Sequence, residues 1–157
     1  MFNRSRMRRG VAAFAVCAVA GGAAIAGCGG GDANDTKAQV NKICKDLDAK
    51  TTTLNNVKDQ QGFVTEGKKV IPELQKTLDK LNNVKANDEV RKKSGADYTK
   101  FVQNFADTGA AFQAMLAAAE AGDDAAFQQA QTQETKLSAD GDALAKKLDF
   151  QDCISKN

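Results

Sequence analysis

Val40, Ile43, Cys44, Leu47, Leu54 and Val57 recur at three- and four-residue spacing, the period of an apolar stripe along an α-helix. Asn34-Asp35-Thr36 stand just ahead of them and supply side-chain oxygens of the kind that cap a helix start. Gln60-Gln61-Gly62 interrupts the stripe, which resumes at Val64, Gly67, Ile71, Leu74, Leu78 and Leu81. Pro72 falls inside this second run and predicts either a kink or a fresh start there. Asn82 to Asn87 reads as a turn, with Asn87 or Asp88 capping a third helix. That helix carries Val90, Tyr98, Phe101, Val102, Phe105 and Phe112, then Met115, Leu116 and Ala119, to about Ala121. Gly122-Asp123-Asp124 is a stop followed by a restart, Gly suiting a C-terminal cap and Asp an N-terminal one. Phe127, Ala130, Leu137, Leu144 and Leu148 form the last stripe. No run alternates with period two, so no sheet is predicted.

Four amphipathic helices joined by short turns predict an all-α fold, an antiparallel up-down four-helix bundle. The stripes are thin in places, with Ala and Gly where Leu would be expected. One helical domain is expected over residues 36–157, and about 120 residues can bury enough apolar surface to fold alone.

The start of the chain has a different character. Residues 1–9 contain Arg4, Arg6, Arg8 and Arg9 and no acid. An apolar stretch rich in Ala, Val and Gly then runs from Val11 to Ile25. A basic start, a short apolar region and small residues at its end have the layout of a secretory signal peptide. The run is weakly apolar and short of the roughly 20 strongly apolar residues that a spanning helix needs. Ile25-Ala26-Gly27-Cys28 resembles the lipobox of bacterial lipoproteins, in which an aliphatic residue and two small ones precede a modified Cys. The resemblance implies cleavage before Cys28 and a diacylglycerol on its sulfur, and two acyl chains hold a protein firmly to a bilayer where one does not. Residues 1–27 are thus expected to be a signal segment and residues 28–35 a lipidated, flexible tether built around Gly29-Gly30-Gly31. The expected location is extracytoplasmic, on the membrane surface.

Removal of that segment changes the charge. The chain has 22 basic and 20 acidic side chains; without the four arginines of residues 1–27 the remainder is −2. A slightly acidic domain argues against a nucleic-acid partner. The sequence contains no His, which removes the commonest general acid–base group and any Ser-His or Cys-His nucleophile pair. No enzyme activity, cofactor or metal is expected. Of four cysteines, Cys17 leaves with the signal and Cys28 takes lipid. Cys44 and Cys153 remain, and in an oxidising compartment an even pair reads as a disulfide. A redox-active pair would normally show as Cys-x-x-Cys, which is absent.

Other features have a plain reading beside a functional one. Phe101, Phe105 and Phe112 share a face that Phe127 could meet from the fourth helix; they read as core, or as a pocket for an apolar ligand. Asp123-Asp124 reads as capping rather than a cation site. Glu120 and Glu134 are too isolated to pair as catalytic acids. Lys68-Lys69 and Arg91-Lys92-Lys93 read as solvated faces, with contact to anionic headgroups as the alternative.

Residues 36–153 resemble small lipoproteins of Gram-positive-type bacteria. The resemblance rests on Val40-Asn41-Lys42-Ile43-Cys44, on Ala121-Gly122-Asp123-Asp124-Ala125 and on Leu148-Asp149-Phe150-Gln151-Asp152-Cys153. In the last segment such proteins often have aliphatic-Gly-aliphatic before the terminal Cys, and Asp149-Phe150 departs from that. The resemblance implies a helical bundle closed by a disulfide and supplies no activity. The expected function is a membrane-anchored, non-catalytic binding or structural domain with an envelope protein or cell-wall partner. The alternative is a carrier holding a small apolar ligand or lipid between its helices.

Overall fold

A computed structural model describes residues 33–84 and 88–155, all of the regular elements among them helical. Helix α1 spans Ala33–Thr51, α2 Gln60–Asn83, α3 Asp88–Ala121 and α4 Asp124–Leu148, with short 3-10 helices at Thr52–Asn56 and Gln151–Cys153. The all-α bundle expected from the periodicity is the observed fold. Cys28, with the signal segment and most of the tether, lies outside the described residues, as do Asn87 and the side chain of Asp88, where a cap was expected. Helix α1 already begins at Ala33, so Ala33, Asn34 and Asp35 are helical backbone rather than tether.

The first boundary differs from the pattern reading. The stripe suggests helix as far as Val57 and a break at Gln60-Gln61-Gly62. Instead α1 ends at Thr51, and Gln60 opens α2. A run of three threonines sits at the end of α1. Thr51 Oγ1 donates to the Asp48 carbonyl at 3.1 Å and Thr52 Oγ1 to that of Ala49 at 3.0 Å. Hydroxyls bonded to backbone compete with the helical ladder, and the chain tightens into 3-10 form. Asp59 then caps α2, its Oδ1 accepting from the Gly62 amide at 2.8 Å. Pro72 lies inside α2 on its exposed face, where water can serve the carbonyl that a proline leaves without an amide donor.

Helices α3 and α4 end alike. Gly122 has φ +68°; its amide returns to the Ala119 carbonyl at 3.2 Å and that of Asp123 to Ala118 at 2.9 Å. Asp149 has φ +61°, with its amide on Lys146 at 3.2 Å and that of Phe150 on Ala145 at 2.8 Å. Both are left-handed reversals that satisfy the last carbonyls of a helix. After Gly122 the Asp123 side chain accepts from the Ala126 amide at 2.9 Å and starts α4, the capping role expected of it.

Two apolar clusters stack along the bundle. One, at the end holding the α1–α2 and α3–α4 turns, joins Leu54, Phe63, Leu74, Phe112, Leu116 and Phe127. The other, at the opposite end, joins Val40, Leu81, Tyr98, Phe101, Leu148 and Phe150. The early part of α1 thus meets the late part of α2, and the early part of α3 the late part of α4, as antiparallel packing requires. Tyr98 donates its hydroxyl to the Leu81 carbonyl at 2.6 Å, and burial pushes its phenol up to about 12. Gly67 sets the α2–α3 approach, since a methyl there would overlap the buried Leu116 side chain.

Helices α3 and α4 pack along their length, as do α2 with α3 and α1 with α2, whereas α1 and α4 make little direct contact. The residues after α4 occupy part of that gap. The left-handed turn at Asp149 sends Phe150 back into the bundle, where its ring meets Phe101 at 5.3 Å and Tyr98 at 6.1 Å between centroids. Burial of one such ring contributes on the order of 2–3 kcal/mol. The 3-10 helix Gln151–Cys153 then rests against α1, with the Asp152 amide bonded to Asn41 Oδ1 at 3.1 Å.

Candidate functional site

Cys44 and Cys153 come together where the tail lies on α1. Their sulfurs stand 2.04 Å apart and their Cα atoms 5.1 Å apart, within the range that a disulfide spans without backbone movement. The pair links α1 to the residues beyond α4 across the seam where the two helices do not pack.

Beside this link, the uncovered part of the seam is a half-open cavity of about 120 Å³. Its walls are α1 (Cys44, Leu47, Asp48), α4 (Glu134, Ser138, Gly141, Asp142) and the tail from Asp152 to Ser155, and α3 contributes Phe101, Phe105 and Phe112. The reason for the space lies in α4. Its inward stripe reads Phe127, Ala130, Glu134, Ser138, Gly141, Ala145 and Leu148: apolar at the ends, short or polar in the middle. Helix α3 answers with Thr108 and Gly109 at the same level. Gly141 is required by close approach, because a side chain there would meet the Asn104 amide oxygen. Asn104 in turn donates through Nδ2 to the Leu137 carbonyl at 3.0 Å, tying α3 to α4.

Glu134 is the most unusual residue of the lining, a carboxyl only 4% exposed. Ser138 Oγ donates to its Oε1 at 2.8 Å. Burial pushes the carboxyl above the ordinary Glu range, partly opposed by the Ser138 hydrogen bond; a charged form loses more hydration than a neutral one when it leaves water. Asp142, on the same wall, accepts the Ser155 amide through Oδ1 at 2.8 Å and so fastens the tail.

The sequence candidates divide. Phe101, Phe105 and Phe112 line the cavity, whereas Phe127 does not. Phe127 packs edge-on against Phe63 at 5.7 Å, and Phe63 edge-on against Phe112 at 5.8 Å. Glu120 is in an ion pair with Lys68, and Lys69 pairs with Glu66 at 2.6 Å. The side chains of Arg91, Lys92 and Lys93 lie outside the described residues. No group of three or more metal-ligating side chains occurs among the described residues, and no described helix is long and apolar enough to cross a membrane. Glu134 as a cavity residue was missed by pattern reading. The signal was the lone acid at an inward position of α4, flanked four residues away on either side by Ala130 and Ser138.

Comparison with protein-family models, with curated proteins and with solved structures gives no match.

Proposed function

We propose that this chain is an extracytoplasmic lipoprotein, held on the membrane by lipid on Cys28, whose helical domain binds a small ligand without transforming it. The observation that supports ligand binding is the cavity between α1 and α4, with three phenyl rings among its lining. Small-molecule sites are concave and mainly apolar, with a few placed polar groups, and this one has Glu134, Ser138 and Asn104. Its volume limits the ligand: an apolar cavity of about 150 Å³ holds a benzene ring. About 120 Å³ suits one small ring or a short branched chain and is too small to enclose a diacyl lipid. The other reading, a bundle surface that docks an envelope protein or cell-wall component, rests on the expected anchor alone. The anchor itself is supported by Ile25-Ala26-Gly27-Cys28 and the basic, apolar and small-residue order before it.

Mass spectrometry of the protein taken from native membranes tests both parts. Under denaturing conditions the expected mass is that of residues 28–157 plus a diacylglycerol, with two protons gained on reduction. Under native conditions a small adduct, or uptake of added benzene, is expected. A mass that retains residues 1–27 overturns the anchor; a chain that takes up no apolar probe overturns the binding role.

A further inference from the structure

We infer that the cleft between α1 and α4 takes a small organic cation with an apolar body, its ammonium group against Glu134 and its body against Phe101, Phe105 and Phe112. The inference rests on the binding role proposed above and names its ligand class. Charge is the first argument. The lining holds four acids, Asp48, Glu134, Asp142 and Asp152, and no Lys or Arg. The hydrogen bonds that Glu134 and Asp142 accept come from neutral donors, the Ser138 hydroxyl and the Ser155 amide, so neither bond brings a compensating positive charge. Several acids outside the cleft carry lysine partners: Lys50 and Lys76 with Glu73, Lys68 with Glu120, Lys147 with Asp97.

Position is the second argument. Glu134 occupies an inward place on α4 that an apolar residue would fill with more stability, since burying a carboxyl costs free energy unless it is paired. In a site shielded from water, a cation beside a carboxylate is held more strongly than on the surface. The three phenyl rings among the lining give the apolar body of the ligand a surface to cover. An anion would meet four acids, and a neutral apolar molecule would leave Glu134 with no new partner.

Binding is linked to protonation. In the empty cleft burial favours the neutral Glu134 carboxyl, and a bound cation favours the carboxylate, so affinity rises with pH as Glu134 loses its proton. The other titratable groups facing it are Asp48 from α1, Asp142 from α4 and Asp152 from the tail; α2 and α3 contribute none to the lining.

The test is an amide NMR titration of the full mature chain in nanodiscs of zwitterionic lipid, with benzylammonium, benzyl alcohol and benzoate as probes. The expected result is saturable shifts at Gly109, Ser138 and Gly141, with benzylammonium bound about tenfold more tightly than benzyl alcohol and benzoate weakest. In Glu134→Gln, which keeps the shape and an acceptor for Ser138, benzylammonium should fall to the affinity of the alcohol while the alcohol is unchanged. Gly109→Leu places a side chain in space that is open within 4 Å of its Cβ position and should abolish binding of both. Equal affinity for amine and alcohol, or no effect of Glu134→Gln, overturns the cation assignment and leaves the binding role standing. Absence of shifts at the cleft with every probe, or full binding in Gly109→Leu, overturns the binding role as well.

Discussion

Removal of the Cys44–Cys153 link should destabilise the domain mainly through its unfolded state. The two cysteines are 109 residues apart. In the chain-entropy model the closed loop removes 2.1 + 1.5R ln n cal/mol/K from the unfolded ensemble, about 16 cal/mol/K here, or about 4.8 kcal/mol at 25 °C. The native side of the balance changes little, because other contacts keep the tail docked. Phe150 is 1% exposed, and the Phe150, Asp152 and Ser155 amides are bonded to Ala145, Asn41 and Asp142. A loss of 4–5 kcal/mol is a large share of the roughly 5–15 kcal/mol that holds a domain folded. With an unfolding entropy near 2.1 cal/mol/K per residue, it lowers Tm by about 15–20 °C for a domain of this size. The assay is urea unfolding followed by far-UV circular dichroism, comparing the oxidised chain with Cys44→Ala/Cys153→Ala. The variant should be helical without urea, with an earlier midpoint and a larger slope, because its unfolded state is no longer cross-linked. A loss under about 2 kcal/mol would refute the reasoning, since it would mean that the bridge does not restrict the unfolded chain.

Glu134→Gln should stabilise the protein at neutral pH. The folded carboxyl is raised above its ordinary value, so between those two values the native state binds more protons than the unfolded one, and stability falls as pH rises through that window. The variant should lose that slope: paired thermal melts should show a gain over the parent that is larger at pH 7 than at pH 4, and an equal gain at both would contradict it. Gly67→Ala should cost about 1–3 kcal/mol by overpacking against Leu116, whereas Gly109→Ala, facing open space inside α3, should gain about 0.5–1 kcal/mol from helix propensity; chemical denaturation of the pair should show opposite signs. Tyr98→Phe should cost about 1 kcal/mol, the net worth of a neutral hydrogen bond. That loss is small because the Leu81 carbonyl also accepts the Val84 amide at 3.3 Å.

Much of the fold was legible along the chain, because local rules decided it. A helix shows one face to its neighbours whatever they are, so the spacing of Val40, Cys44 and Leu47, or of Phe101, Phe112 and Met115, marked buried positions without knowledge of the partner helix. Gly122 and Asp123 marked the α3–α4 turn because a left-handed residue and an N-cap are local chemistry. The pairing of Cys44 with Cys153 was expected from the two cysteines left once residues 1–28 are set aside, and the two stand at disulfide distance. The end of α1 was misjudged because the apolar period continues through Leu54 into the 3-10 helix while the threonine hydroxyls redirect the backbone.

What only the tertiary structure decided is where the stripes leave space. Glu134, Ser138 and Gly141 could have faced solvent, a neighbouring helix or a gap, and each outcome is compatible with the same spacing. The choice depended on the separation of α1 and α4, which no local rule sets. It follows from the long α3–α4 contact, from Asn104 seated on the bare backbone of Gly141, and from a left-handed turn at Asp149 that puts Phe150 into the seam. Phe127, expected to meet Phe101, Phe105 and Phe112, shares a cluster with Phe112 and Phe105 and lies edge-on to Phe63, while Phe101 belongs to the other cluster, because helix rotation and axial offset select the partner. Sequence determines which faces must be buried; the packing of whole helices determines which buried face is left incomplete, and so where the cleft opens.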